Sequence, residues 1–216
     1  MKRLIIYDLD GTLVDTSADI VQAVNAVVTS LGAAALSSSE IRAGVGRGVA
    51  HLIARSLKTE DAACIEEGVQ RFRRYYAEHL VDQSRLYPGV RELLEHFRVR
   101  VQIVLTNKPN PHARDLLTAL GVAGAFAQIL AADAQVPAKP DPSAIRALLA
   151  QHRIGAEEAL IIGDSPIDIE TGRRAGVLTV VVSQGFSDEA ELRSAAPDLL
   201  ARDCAEVLAL ARRHQW

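Results

Sequence analysis

The chain is poor in the features that staple, anchor or export a protein. It has two cysteines, Cys64 and Cys204, in 216 residues. Two are too few for a disulfide framework, so a reducing cytoplasm is the expected location. No apolar run approaches the roughly 18 residues of a membrane span. Met1-Lys2-Arg3 is followed by only Leu4-Ile5-Ile6-Tyr7 before Asp8, too short for a secretory signal core. Excess positive charge is missing too: 24 Lys and Arg stand against 27 Asp and Glu, a net charge of −3. That disfavours a nucleic-acid surface. There is no internal repeat and no low-complexity tract. Secretion, membrane insertion and disorder are therefore disfavoured. What remains is an ordinary soluble composition, 49% hydrophobic and 24% charged, and a chain long enough to bury a full core. Its length equals about 1.4 average domains, which suggests one domain carrying an insertion.

Short β-branched runs bounded by Gly and Asp predict buried strands at Leu4–Tyr7, 101–105, 159–162 and 178–182, with a weaker one at 127–131 followed by Asp133. Helical periodicity lies between them, over 110–120, 142–152, 166–175 and 203–213. Pro142 after an Asp141 cap, and Pro166, suit first helical positions, and Gly176 suits a stop. Strands alternating with helices imply a parallel α/β sheet. Residues 15–85 break the alternation. Ile20, Val24, Val27, Val28 and Leu31 fall on one helix face; Ser37-x-x-Glu40 spells a capping box. Val49–Leu57 and a long segment near 60–82, with Ile65, Val69, Phe72 and Tyr76 on one face, complete four helices. The expected organisation is an α/β core from 1–14 and 86–216, with a helical domain inserted at 15–85.

The chemistry gathers at strand ends, where parallel α/β sheets place their ligands. Asp8 and Asp10 follow the first strand, and period-two alternation predicts that both carboxylates share a side. Like charges that close call for a cation or a proton between them. Asp164 and Asp168 follow another strand. Four converging aspartates make an oxygen-rich site suited to a hard cation, Mg²⁺ above all. Thr106 and Asn107 end a third strand, and Lys139 sits in a proline-stiffened loop, an ammonium suited to phosphoryl oxygens.

Asp8-Leu9-Asp10-Gly11-Thr12-Leu13-Val14-Asp15-Thr16, Leu105-Thr106-Asn107-Lys108, Lys139-Pro140-Asp141-Pro142 and Gly163-Asp164-Ser165-Pro166-Ile167-Asp168 resemble, in order, the four motifs of the haloacid dehalogenase (HAD) superfamily. The resemblance implies a Rossmann-like α/β core with an inserted α-helical cap between the first and second motifs. It implies Asp8 as a nucleophile that forms an aspartyl-phosphate. Asp10 would be the acid that protonates the leaving oxygen and later the base for water. It implies Mg²⁺ held by Asp8, the Asp10 main-chain carbonyl and Asp164 with support from Asp168. Thr106, the main chain at Asn107 and Lys139 would hold the transferring phosphoryl group. An acidic residue at position 10 favours phosphatase or phosphomutase chemistry, because a halide leaves without protonation.

Further details are similar to the phosphoglycolate phosphatase branch: Gly46-Arg47-Gly48 leading into a cap helix, Tyr87-Pro88-Gly89-Val90 at re-entry, and Pro197-Asp198 near the end. The expected substrate is then 2-phosphoglycolate, a small phosphorylated metabolite, with Arg47 reaching its carboxylate in a fork. Inorganic pyrophosphatase, sugar-phosphate phosphatase and β-phosphoglucomutase stay open as alternatives in the same superfamily. A non-catalytic binding protein is a remote one, since every expected catalytic aspartate is present. A monomer or a homodimer is expected, with neither nucleic acid nor membrane as partner. Gly44-x-Gly46-x-Gly48 lacks the spacing of a nucleotide fingerprint. Arg71, Arg73 and Arg74 read as a solvated helix face, the six histidines as structural (His51 lying nearest the cleft), and both cysteines as buried small residues.

Overall fold

The computed structural model describes residues 1–132 and 136–216; Asp133, expected after a strand, lies outside them. The chain opens with β1 (Leu4–Tyr7) and the two-residue β2 (Val14–Asp15). Four helices follow: α1 (Ser17–Ser30), α2 (Ser38–Arg42), α3 (Val49–Leu57) and α4 (Ala62–Glu78). After β3 (Arg85–Leu86) and α5 (Val90–His96) the α/β alternation begins. It runs β4 (Val101–Thr106), α6 (His112–Ala119), β5 (Gln128–Ala131), α7 (Ser143–His152), β6 (Ala159–Gly163) and α8 (Pro166–Ala175). It ends with β7 (Leu178–Val182), α9 (Glu189–Ser194), β8 (Leu199–Ala201) and α10 (Cys204–Arg213).

Six strands form one parallel sheet in the order β5-β4-β1-β6-β7-β8. Every residue of β1 is buried, because it is paired on both edges and covered on both faces. Tyr7 registers with Val104 on one side and Ile162 on the other. Alternate residues feed opposite cores. Ile5, Tyr7, Val104 and Ile162 pack with α5, α6 and α10, whereas Leu4, Ile6, Ile103 and Ile161 pack with α7. Two-sided burial explains why these strands read as nearly continuous apolar runs, broken in β4 by Gln102. The α/β fold with a parallel Rossmann-like sheet is as expected.

The four helices between β2 and β3 bury the faces that periodicity marked out: Ile20, Val24, Val27 and Val28 on α1, and Val69, Phe72 and Tyr76 on α4. The Ser37–Glu40 capping box is formed. The chain leaves for these helices and returns from them through one antiparallel pair, Val14 opposite Leu86 and Asp15 opposite Arg85. Beside it, the buried Asp19 carboxylate of α1 accepts hydrogen bonds from Gln83 N, Ser84 N and Ser84 Oγ, the last at 2.6 Å. This ties the first helix to the return segment.

Some local expectations need correction. Pro142 is the N-cap of α7, which starts at Ser143. Asp141 stands one residue earlier, and its carboxylate accepts from Ser143 N at 2.8 Å. Cys64 is only half-buried; Cys204 is buried. The small strands β2, β3 and β8 and the helices α5 and α9 are additions to the sequence reading. Among the described residues, no helix is long and apolar enough to cross a membrane.

Candidate active site

The sheet order places the expected site. β1 lies between β4 and β6, so Asp8, Thr106 and Asp164 emerge from three adjacent carboxyl ends. Asp8 N continues the ladder by donating to Ile162 O at 2.9 Å. One oxygen each of Asp8, Asp164 and Asp168 lie within 4.8 Å of one another, all three residues buried. Lys139 reaches into the group, its Nζ 2.7 Å from Asp8 Oδ1 and 2.7 Å from Asp168 Oδ1. The ammonium loses from burial, but Asp168 and Asp8 outweigh that and raise its pKa.

One ammonium does not neutralise three buried carboxylates. Burial, with Asp168 adding to it and Lys139 opposing it, pushes Asp8 up to about 7. Asp164 is raised well above the usual carboxylate range by burial and by Asp8 and Asp168. Asp164 spends one bond per oxygen, accepting from Thr12 Oγ1 at 2.9 Å and Phe186 N at 2.8 Å, and keeps lone pairs free. Asp168 is more fully used. Besides Lys139, it accepts from Ser165 Oγ at 2.6 Å and from the Ser165 and Asp164 amides. An all-oxygen donor set with unmatched negative charge fits a hard divalent cation. Gly11, at φ +83°, passes so close that any side chain there would strike the Asp164 carboxylate.

Asp10 departs from the expectation of four gathered carboxylates. The backbone turns after Asp8, with Gly11 N bonding Val14 O, so strict alternation ends. The Asp10 carboxylate instead accepts from Thr16 Oγ1 at 2.8 Å and Lys108 Nζ at 2.9 Å. Lys108, absent from the expected site, is buried and also donates to Tyr76 OH at 2.8 Å. Nothing in its own neighbourhood marks it as such, because its partners are 98 and 32 residues away.

Thr106 is buried, and its Oγ1 accepts from Lys108 N at 3.1 Å. The Asn107 side chain donates to Gly46 O at 2.8 Å and Lys139 O at 3.0 Å and accepts from Lys139 N at 2.8 Å. Its amide is thus committed to joining three loops, which leaves its main chain for a ligand. Arg47 is exposed in a turn flanked by Gly46 at φ +105° and Gly48 at φ +88°, left-handed values that suit glycine.

Two spaces meet at Asp8 and Asp10. An outer cleft of about 360 Å³ runs past Asp164 and carries Arg42, Arg47, His51 and Arg55 on its helical side. An inner chamber of about 50 Å³ is walled by Ile20, Val49, Leu52 and Phe72 and reaches Tyr76 and His112. His112, expected to be an ordinary structural histidine, is therefore part of the site's lining.

The described arrangement can be set beside known proteins. Residues 5–182 match the family model of the haloacid dehalogenase-like hydrolases. The chain is 33% identical over 217 residues to a phosphoglycolate phosphatase of Vibrio parahaemolyticus, covering 95% of this chain and 94% of that one. It is 35% identical over 199 residues to a phosphoglycolate phosphatase of Rhodospirillum rubrum, covering 88% and 83%. Its fold superposes on the crystal structure of a predicted phosphoglycolate phosphatase from Haemophilus somnus with a TM-score of 0.91 at 28% identity, covering 97% of this chain and 98% of that one. A match over most of the length places this chain in the haloacid dehalogenase-like hydrolase family.

Proposed function

We propose that the chain is a Mg²⁺-dependent phosphatase that hydrolyses 2-phosphoglycolate to glycolate and phosphate through an aspartyl-phosphate on Asp8. The observation that carries this reading is the separation of two neighbouring carboxylates. Asp8 belongs to the triad with Asp164 and Asp168, whereas Asp10 is held apart by Thr16 and Lys108. Two aspartates in different environments suit two different roles. The names of the relatives support the substrate.

In the first step an Asp8 oxygen attacks phosphorus and the bond to the leaving oxygen breaks, while Asp10 gives that oxygen its proton. In the second, water attacks the phosphorus of the acyl phosphate, Asp10 takes its proton, and Asp8 is released with inorganic phosphate. Thr106 Oγ1, the Asn107 N–H and the Lys139 ammonium receive the phosphoryl oxygens, which carry the charge of the transferring group. Mg²⁺ would be held by Asp8, Asp164 and the Asp10 main-chain carbonyl, with Asp168 in support; when bound it neutralises charge on the phosphoryl group. Residues 15–85 act as a cap that excludes water from the acyl phosphate until the leaving group has gone. Arg47 faces the outer cleft with Arg42 and Arg55, where their charge draws an anionic substrate toward Asp8. The two unpaired cysteines suit a cytoplasmic enzyme.

A panel of phosphoglycolate, pyrophosphate, glucose 6-phosphate and β-glucose 1-phosphate, ranked by kcat/KM with Mg²⁺ present, tests the reading. Phosphoglycolate is expected to rank first, and Asp8→Asn to abolish turnover of all four. Hydrolysis surviving Asp8→Asn overturns the nucleophile, and pyrophosphate or a sugar phosphate ranking first overturns the substrate.

A further inference from the structure

Around the inner chamber, three hydrogen-bonding groups are left with unspent capacity. Lys108 Nζ carries three protons and gives two of them, to Asp10 and to Tyr76 OH. Because Lys108 can only donate, the Tyr76 oxygen is the acceptor in that bond. The hydroxyl's own proton therefore has no acceptor among the described residues. His112 is 5% exposed, and its Nδ1 has no hydrogen-bond partner among the described residues. Tyr76 touches both of the others: the His112 ring meets the Tyr76 ring edge-on at 5.5 Å between centroids, and Lys108 Nζ lies 4.4 Å from the Tyr76 centroid. A buried polar atom without a partner is costly, and all three residues line a cavity that reaches Asp8 and Asp10.

We propose that the inner chamber is the leaving-group pocket and that Tyr76 and His112, with Lys108, are its specificity-determining residues, receiving the carboxylate of a two- or three-carbon phosphorylated hydroxy acid. This deepens the phosphatase reading above and rests on it. Size comes first. The chamber measures about 50 Å³, and on that measure one water needs roughly 10–15 Å³, so it has room for roughly three to five non-hydrogen atoms. Glycolate fills it; a hexose does not fit. Chemistry comes second. Ile20, Val49, Leu52 and Phe72 offer nothing to the several hydroxyls of a sugar, which would be buried unsatisfied. They do suit a methylene. Charge comes third. Lys108 already matches Asp10, so the third ammonium proton, the Tyr76 O–H and an N–H at His112 Nδ1 are the donors left for an incoming anion. A neutral imidazole can place its one proton on either nitrogen; the Arg73 main-chain carbonyl competes for it, and an incoming carboxylate selects the Nδ1–H form. Arg47 does not line this chamber; it borders the outer cleft.

The test compares 2-phosphoglycolate with 2-hydroxyethyl phosphate, which replaces the carboxylate by a neutral group of similar size, in the full-length protein with Mg²⁺. Tyr76→Phe removes one hydroxyl, and His112→Leu removes the nitrogens at similar bulk. Each variant is expected to raise KM for phosphoglycolate roughly tenfold or more, the usual effect of losing a hydrogen bond to a charged group. KM for 2-hydroxyethyl phosphate should stay within about threefold, since a contact made only to the carboxylate is absent from that substrate. Tyr76 also holds Lys108 beside Asp10, so Tyr76→Phe lowers kcat on both substrates alike, and the readout is the KM ratio between them. A KM increase of the same size on both substrates marks a merely structural role and overturns the proposal while leaving the phosphatase reading intact. Retained preference for phosphoglycolate in both variants overturns it in the same way. A wild-type protein that does not prefer phosphoglycolate over 2-hydroxyethyl phosphate overturns the substrate reading, and the chamber proposal with it.

Discussion

Lys139 Nζ lies 2.7 Å from Asp168 Oδ1, and the same nitrogen lies 2.7 Å from Asp8. Asp168 therefore acts through the lysine. It fixes the ammonium, and its second oxygen is in turn fixed by Ser165. Lys139→Ala removes the one cation among three buried carboxylates and the partner for the phosphoryl oxygens. The expected loss in kcat/KM is roughly 10²-fold or more, the scale for deleting one preorganised transition-state donor. Steady-state kinetics on phosphoglycolate measures it, and a change below threefold counts against Lys139 touching the reacting group.

Divalent metal should stabilise the protein, and more so at higher pH. In the metal-free protein, burial holds Asp8 at about 7 and raises Asp164. An acid whose pKa rises on folding makes the protein less stable as pH climbs from its ordinary value of 3.8 through about 7. A cation needs the ionised carboxylates and expels their protons. The rise in Tm on adding Mg²⁺ is therefore expected to be larger at pH 8 than at pH 6, and to be nearly lost in Asp164→Asn. An equal shift in Asp164→Asn, read by thermal melts, is the contrary result.

Asp19 bears on stability alone. Its carboxylate is buried and is matched by two main-chain N–H groups and one hydroxyl. Asp19→Ala orphans all three donors where α1 meets the returning chain. The expected destabilisation is about 3 kcal/mol, since each unmade buried hydrogen bond costs about 1–3 kcal/mol and relaxation recovers part of the sum. Urea unfolding should show a lower midpoint at an unchanged slope.

How far the sequence was legible follows from how local each signal is. β1, β4, β6 and β7 are buried on both faces and show as nearly continuous apolar runs, interrupted only by Gln102 and Thr106 in β4 and Thr179 in β7. α1 and α4 show because a helix half covered by its neighbours must repeat its apolar residues. β2 and β3 have two residues each, too few to display a period; β8 has three, just after a proline-containing turn. At the site, Asp8 and Asp164 sit at strand ends that the alternation itself locates, and Asp168 lies in the first turn of the helix that follows the second. The resting place of the Asp10 carboxylate was not readable, because it depends on Lys108, and Lys108 depends on Tyr76 in another helix. Contacts of that kind leave no periodic trace. The same holds for His112, whose spacing to the other histidines is uninformative and whose significance lies in a missing partner.

The Asn107 amide joins three loops, and its bonds are unevenly shared: two go to the Lys139 main chain and one to Gly46. Under load, such a joint has a preset fracture line. Lifting the Gly46 loop breaks a single hydrogen bond, whereas shifting Lys139 requires breaking two. The Asn107 joint therefore holds the lysine beside Asp8 more firmly than it holds the Gly46 loop.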